Sequence, residues 1–280
     1  MTGKMTENAV EIRGVDFTSR PNKQKTITVA RGYLKDAQFS LACVDGLDSF
    51  EKFEAMLIEP GPWVAAFDFP FGLPSEFSAE IGWLNRRTSW AKIAKKLADI
   101  SREDLTNHCR AYCDARPAGN KFAHRPVDRL AGSSPSMKWV NPPVVYMLKE
   151  GAPRLLAAGV DIPGQHAGDK TRIALEAYPG FLARSITKAS YKNDQRAKQT
   201  PALLAARKQI VDTLLTGKYS LAIKLSASIV LKKSLIGDAS GDTLDAVLCA
   251  LQAAWAWQRR EQNFGLPSDI DPLEGWIVTV

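Results

Sequence analysis

The order of elements in the first 70 residues constrains the fold more than any other feature of this 280-residue sequence. Three β-rich segments follow one another with short connections, and an amphipathic helix and a fourth strand come next. Strands joined this tightly pair antiparallel, and a helical crossover returns the chain parallel to a neighbouring strand. The sequence therefore predicts an α/β fold with a mixed sheet. The predicted strands cover residues 9–17, 25–34, 37–46 and 63–69, and the predicted helix covers residues 49–59.

The rest of the chain predicts one insertion and a return to the sheet. Residues 75–165 combine helical stretches with loops rich in Pro, Gly, Arg and Ser, which indicates a mainly helical insertion lying over one end of the sheet. A fifth strand is predicted at 172–179, and helices are predicted near 200–215, 221–233 and 240–260. We expect a single domain over residues 9–262, followed by a C-terminal tail over 263–280.

Composition excludes several classes of protein. An apolar content of 45% and a charged content of 24% are typical of a soluble globular protein. No apolar stretch approaches the roughly 20 residues that span a bilayer, and the N-terminus lacks the apolar segment of a secretory signal. We therefore expect a cytoplasmic protein without a membrane partner. The His108, Cys109 and Cys113 group has an unusual spacing for zinc and predicts ordinary thiols.

Acidic side chains stand where predicted apolar strands end or where the last helix begins. Asp16 ends the first apolar run, Asp68 the fourth and Glu176 the fifth, while Asp242 and Asp245 open the last helix. Residues three apart share one helix face. Because strand ends and helix starts of an α/β sheet meet at one edge, we expect these carboxylates to converge.

Converging carboxylates favour a divalent metal site. Like-charge repulsion raises their pKa values, and hard cations bound through oxygen offset that repulsion. Two such cations about 3.5–4 Å apart can activate water and stabilise the leaving oxygen of a phosphodiester. The pattern predicts Mg²⁺ or Mn²⁺ held by Asp16, Asp68, Asp242 and Asp245, with these acids and Glu176 as catalytic residues.

Each acid also has a purely structural interpretation. Asp16 and Asp68 suit turns that follow strands, and Glu176 suits an ion pair with an arginine of the insertion. Asp242 and Asp245 suit the start of a helix, where they complement its dipole. These alternatives stay open, although all of them would have to hold independently.

Basic residues predict contact with a polyanion. The net charge is +7, and residues 184–233 alone contain eleven Lys or Arg against two Asp, an excess of +9. Such a segment can bind nucleic acid by releasing counterions, or it can simply be a solvated helix surface. The candidate nucleic-acid-binding residues are Lys188, Lys192 and Arg196 in this segment and Arg125, Arg129 and Lys138 in the insertion.

Four motifs together resemble the family called domain of unknown function 429. They are "GVDF" (14–17), "AFDFPFGLP" (66–74), "EAYPG" (176–180) and "GDTLDAVLCALQAAW" (241–255), and the resemblance extends from about residue 11 to 260. The family is viewed as predicted nucleases of the ribonuclease H fold. The resemblance thus implies a ribonuclease H-like, mixed five-stranded sheet flanked by helices.

The resemblance also assigns roles to the acids. Asp16 corresponds to the acid of the first strand and Asp68 to the acid that ends the fourth. Asp242 and Asp245 are similar to the paired acids on the last helix of Holliday-junction resolvases, which often form homodimers. Glu176 is the additional acid of "EAYPG", and it could orient a ligand instead of binding a metal.

The leading interpretation is a metal-dependent nuclease acting on DNA or RNA, and two other functions stay open. An actin-like or sugar-kinase-like phosphotransferase would use the acid and hydroxyls of "DFTS" (16–19) for nucleotide phosphates, but the chain has no second β-β-β-α-β unit. A non-catalytic nucleic-acid-binding protein would keep the fold without the reaction. Repulsion among unliganded carboxylates argues against that last interpretation.

Overall fold

The computed structural model describes residues 10–193 and 195–280 and contains a seven-stranded sheet. The predicted β-β-β-α-β opening is confirmed, with boundaries shifted by one or two residues. The strands are β1 (Val10–Asp16), β2 (Ile27–Lys35), β3 (Gln38–Leu47), β4 (Trp63–Phe67), β5 (Val160–Asp161), β6 (Asp169–Glu176) and β7 (Lys224–Ser226).

Helices lie between these strands and after the last of them. α1 is the crossover between β3 and β4, and α2 to α6 form the predicted insertion together with β5. The helices are α1 (Phe50–Leu57), α2 (Ser75–Glu80), α3 (Trp90–Asp99), α4 (Arg102–Asp114), α5 (Pro126–Ala131), α6 (Val144–Ala158), α7 (Pro179–Ile186), α8 (Pro201–Thr216), α9 (Ile229–Gly237) and α10 (Asp242–Gln258).

The strand order is β5-β6-β4-β1-β2-β3-β7. β1 pairs antiparallel with β2, and β2 with β3, whereas all other neighbours pair parallel. The prediction of five strands was therefore wrong. β5 and β7, which have two and three residues, are the additional edge strands, and segments this short carry no alternating pattern.

The prediction of a helix over residues 221–233 was also wrong for the first half of that range. Ala222 adopts a positive φ of 56°, which ends any helix there. β7 follows, and its Lys224 N–H donates to the Ala37 carbonyl at 2.8 Å. The helix begins only at Ile229, after Ser228, whose side chain caps it.

The two faces of the sheet bury separate cores. Along β4, Val64 and Ala66 pack on the side of α7 to α10, whereas Trp63, Ala65 and Phe67 pack on the side of α1 and the insertion. This alternation follows the period of two that strand geometry imposes. A sheet covered on both faces leaves its ends as the accessible places for a ligand.

The C-terminal residues extend the edge at which β6 ends. Ile277 forms a parallel β-bridge with Glu176, and the Val278 N–H donates to the Glu176 carbonyl at 2.9 Å. Ile277 and Val278 are 2% and 1% exposed. The segment predicted as a tail is thus packed against the sheet.

No helix within the described ranges has the length and apolar character needed to cross a membrane.

Candidate functional site

Three of the predicted acids stand at the ends of neighbouring strands. Asp16 is the last residue of β1, Asp68 follows β4 directly, and Glu176 is the last residue of β6. In the register, Val15 lies opposite Phe67, which lies opposite Glu176. The Asp68 N–H donates to the Val15 carbonyl at 2.8 Å, which fixes Asp68 beside the end of β1.

A glycine in β1 brings α10 to the same edge. A Cβ at Gly14 would lie 2.0 Å from the Ala246 carbonyl oxygen and 2.1 Å from the Ala250 nitrogen. Only a residue without a side chain allows this close approach of helix and strand. Because Gly14 precedes Asp16 by two residues, the first turns of α10 come to lie beside Asp16 and Asp68.

The two acids of α10 have different partners. Asp245 is fully buried, and its carboxylate accepts hydrogen bonds from the Tyr191 hydroxyl at 2.6 Å and from the Lys192 ammonium. Asp242 is partly exposed, and both of its oxygens accept from Lys25 Nζ at 2.9 Å. Although Asp242 and Asp245 are three residues apart on one helix, their carboxylates therefore share no hydrogen-bond partner among these contacts.

The carboxylates nevertheless interact through their charges. Burial, followed by the charges of Asp245 and Asp68, raises the pKa of Asp16 well above its ordinary value. Burial and the charge of Asp245 raise the pKa of Asp68 to about 7. Burial also raises the pKa of Asp245, although Lys192 and Tyr191 oppose the shift. We call Asp16, Asp68 and Asp245 the acidic cluster.

Lys192 supplies positive charge to this cluster. Burial opposes its ammonium form, but the charges of Asp245, Tyr191 and Asp16 and the hydrogen bond to Asp245 together outweigh burial and raise the pKa of Lys192 well above its ordinary value. Its position is set by close packing, since a Cβ at Gly241 would lie 2.8 Å from Lys192 Cβ. The Arg207 guanidinium holds the adjacent backbone by donating to the Tyr191 carbonyl at 2.7 Å.

The described residues contain no group of three or more His, Cys, Asp or Glu side chains arranged to hold a metal ion. Asp245 and Asp242 instead accept hydrogen bonds from lysine ammonium groups. The assignment of four metal ligands therefore stays a prediction.

Glu176 is engaged by the insertion. Its carboxylate accepts from Arg125 Nη1 at 2.8 Å and Nη2 at 2.6 Å, and from the Phe71 N–H at 2.8 Å. Burial raises the pKa of Glu176 while Arg125 lowers it. The geometry corresponds to the structural alternative, an ion pair with an arginine of the insertion, although the charge of Glu176 still reaches Asp68.

Arg125, predicted to bind nucleic acid, lies in the interior. It is 1% exposed, and besides Glu176 it pairs with Asp128 at 2.7 Å and donates to the Glu274 carbonyl at 2.8 Å. A guanidinium with buried partners on all sides has no free donors for a phosphate. Its role in this structure is to attach α5 to the end of β6.

A cleft of about 840 Å³ opens above Asp16 and Asp68. One wall comes from the insertion and the other from residues 178–193 together with Gln195. The insertion side includes Ser133, Ser134, Pro142, Pro143, Val144 and Met147, and the other side includes Tyr178, Arg184, Thr187, Lys188, Ser190 and Lys192. Lys25 and Asp242 also line the cleft.

The other predicted nucleic-acid-binding residues divide into two groups. Lys188 and Lys192 line the cleft. Arg129 is exposed outside the cleft lining, and Lys138, also outside it, donates to the Asn141 carbonyl at 2.7 Å. The side chain of Arg196 lies outside the described part of the chain.

Sequence analysis missed Lys25, Tyr191 and Arg184 as residues of the site. Lys25 and Asp242 are 217 positions apart, and Tyr191 and Asp245 are 54 apart. No local spacing signals pairs so distant in sequence. The basic character of residues 184–233 was the available signal for Arg184.

The fold and the site define an α/β protein with an acidic cluster at one sheet edge, beneath a cleft lined by cations. The sequence profile of a family described as protein of unknown function (DUF429) matches residues 14–269, so the chain belongs to that family. No curated protein and no solved structure gives a match.

Proposed function

We propose that the protein is a divalent-metal-dependent nuclease with a ribonuclease H-like fold. The acidic cluster carries the proposal, because burial and mutual repulsion raise the pKa values of Asp16, Asp68 and Asp245. Such repulsion is a cost that a bound cation removes. Clusters of this kind occur preferentially at functional sites.

The topology supports the fold part of the proposal. Three antiparallel strands, a crossover helix and a parallel strand are the arrangement expected of a ribonuclease H-like protein. The run β3-β2-β1-β4-β6 supplies the five strands. β5 and β7 are then additions at the two edges.

The donor chemistry fits Mg²⁺ or Mn²⁺, because the candidate ligands offer only carboxylate oxygen. Asp16 and Asp68 would hold the ion, and Asp245 and Asp242 would join them as ligands by giving up their hydrogen bonds to Lys192 and Lys25. When bound, such ions supply a nucleophilic water and stabilise the leaving oxygen of a phosphodiester. The displaced ammonium groups of Lys192 and Lys25 line the cleft and would bind phosphate oxygens.

The test of this proposal is a cleavage assay in which metal binding is measured separately. Wild type, an Asp16→Asn, Asp242→Asn double variant and the control Asp269→Asn, an exposed acid outside the cleft, are purified in parallel. Each is incubated with Mg²⁺ or Mn²⁺ and single-stranded, duplex, hybrid and branched DNA and RNA. We expect cleavage by wild type and the control only.

Thermal unfolding with increasing metal provides the second readout. A ligand that binds only the folded state raises Tm with its concentration. We expect this rise in wild type and Asp269→Asn, and its loss in the double variant. Equal cleavage by the double variant would indicate a contaminating nuclease. Absence of both cleavage and a metal-dependent Tm would contradict the proposal.

A further inference from the structure

We infer that the cleft accepts one single strand of nucleic acid and excludes the duplex. The inference rests on the proposed function and deepens it by naming the substrate class. It depends on three observations: the size of the cleft, the links between its walls and the chemistry of its lining.

The cleft has the size of a pocket. Its volume of about 840 Å³ falls in the range of about 300–1,000 Å³ typical of sites that enclose small molecules. Specific protein–duplex interfaces bury roughly 1,000–2,500 Å² of protein surface, which is more than the lining of this cleft exposes. A site that reaches Asp16 only between two walls has room for a backbone with splayed bases.

Two polar links hold the insertion to the rest of the cleft. Arg184 of α7 donates to the Ala131 carbonyl of α5 at 2.5 Å, whereas its bond to the Tyr178 hydroxyl at 3.1 Å lies within one wall. Deeper in the protein, Arg125 joins the insertion to Glu176 at the end of β6. Opening the cleft would separate a buried ion pair, which is a costly change.

The lining suits a single strand. Lys188 is exposed on one wall and can contact backbone phosphates, and Lys192, paired with Asp245, also lines the cleft. Pro142, Pro143 and Tyr178 offer apolar and aromatic surface on which an unpaired base can stack. In a duplex the bases are already stacked on each other and cannot use this surface.

The first experiment measures binding without cleavage. Fluorescence anisotropy with wild-type protein in chelator and 100 mM salt compares a labelled 12-nucleotide strand, as DNA and as RNA, with the same strand annealed to its complement. We expect the single strand to bind at least about tenfold more tightly, a difference of about 1.4 kcal/mol. Equal or tighter binding of the duplex, or no binding of the single strand, would overturn the inference.

Two variants and a matched control test the cause of the preference. Arg184→Met removes the donors that join the walls, and we expect it to reduce the ratio of duplex to single-strand Kd. Lys188→Met should weaken single-strand binding, whereas Lys218→Met, an equal loss of charge outside the cleft, should not. An unchanged ratio in Arg184→Met and equal losses in the two lysine variants would contradict a role for the cleft walls.

The two proposals fail in different ways. If the protein prefers single strands but shows no metal-dependent cleavage, the proposed nuclease activity would be disproved. The proposal that the cleft binds a single strand would stand. If duplex is cleaved as fast as single strands and binds with equal affinity, the proposed nuclease activity would stand. The proposed single-strand preference of the cleft would be disproved.

Discussion

At the scale of single residues, Asp68 makes the folded protein sensitive to pH. Its pKa is raised from an ordinary 3.8 to about 7. Between these two pH values the folded state therefore keeps a proton on Asp68 that the unfolded state has released. The associated stability is fully present below pH 3.8 and is lost as pH rises through 7. In chelator, Asp68→Asn should therefore be more stable than wild type at pH 8, by up to about 4 kcal/mol.

Urea unfolding at pH 4 and pH 8 checks this prediction. The difference between Asp68→Asn and wild type should be small at pH 4 and large at pH 8. Asp269→Asn, the exposed control, should show no comparable change between the two pH values. A variant that is less stable than wild type at pH 8 would refute the repulsion argument.

Arg125 is the residue whose loss should cost the most stability. Arg125→Met would leave Glu176 and Asp128 buried without their cation, and breaking such a pair costs about 3–5 kcal/mol. Urea unfolding at pH 7 measures the loss. Arg129→Met in the adjoining helix α5, an exposed position, should change stability by no more than about 0.5 kcal/mol.

A second substitution separates lost charge pairing from lost packing. Adding Glu176→Gln to Arg125→Met removes one of the stranded charges and should recover part of the stability. If the loss in unfolding free energy of the double variant equals the sum of the losses of the two single variants, the ion pair is not the source of the instability.

At the scale of elements, the contact of β1 with α10 positions the acidic cluster. Gly14→Ala would place a Cβ within 2.1 Å of two backbone atoms of α10, which rigid elements cannot accommodate without moving. We expect a loss of about 3 kcal/mol or more, together with weaker binding of the proposed metal ion because Asp245 moves with the helix. Denaturation and metal-dependent Tm measure both effects.

The control for this variant is Gly237→Ala at the end of α9. A Cβ there meets nothing within 4 Å, so the substitution should be neutral or slightly stabilising. An equally mild effect of Gly14→Ala would mean that helix and strand separate easily.

Elements with strong periodic patterns were predictable from the sequence, and contact-dependent elements were not. α10 shows a broad apolar face, and β1 to β4 show clear apolar runs, so their predicted positions are nearly right. β7 has three residues whose strand conformation depends on pairing with β3. The same limit applies to the site. Asp16 and Asp68 stand at the ends of strands that the pattern shows, but Tyr191 and Lys25, the partners of Asp245 and Asp242, come from distant segments.

At the scale of the whole molecule, the C-terminal segment joins the sheet to the insertion. Ile277 bridges to Glu176 and packs with Val127 and Ala131 of α5. Ile277→Ala should cost about 2–5 kcal/mol, as expected of a large buried aliphatic side chain. Ile229→Ala, at a position 72% exposed, should cost no more than about 0.5 kcal/mol. Equal losses in urea unfolding would contradict a structural role for this segment.

The sequence also indicated that residues 75–165 interrupt an otherwise regular α/β order. It predicted them over one end of the sheet, whereas helices α3 and α6 pack with α1 against one of its faces. It did not indicate how the insertion is attached. That depends on Arg125 meeting Glu176, and the choice between a ligand-binding and an ion-paired Glu176 requires a three-dimensional contact. Strand ends can be located from a pattern, but the partner of a buried charge cannot.

The link between Arg184 and Ala131 has a kinetic consequence. Under the proposed strand-binding function, walls that are already joined need no closing motion over an incoming strand, so association should occur in a single phase limited by diffusion and charge. Its rate should fall steeply as ionic strength increases. Turnover would then be set by bond cleavage or product departure, and not by the closing motion that limits many enzymes.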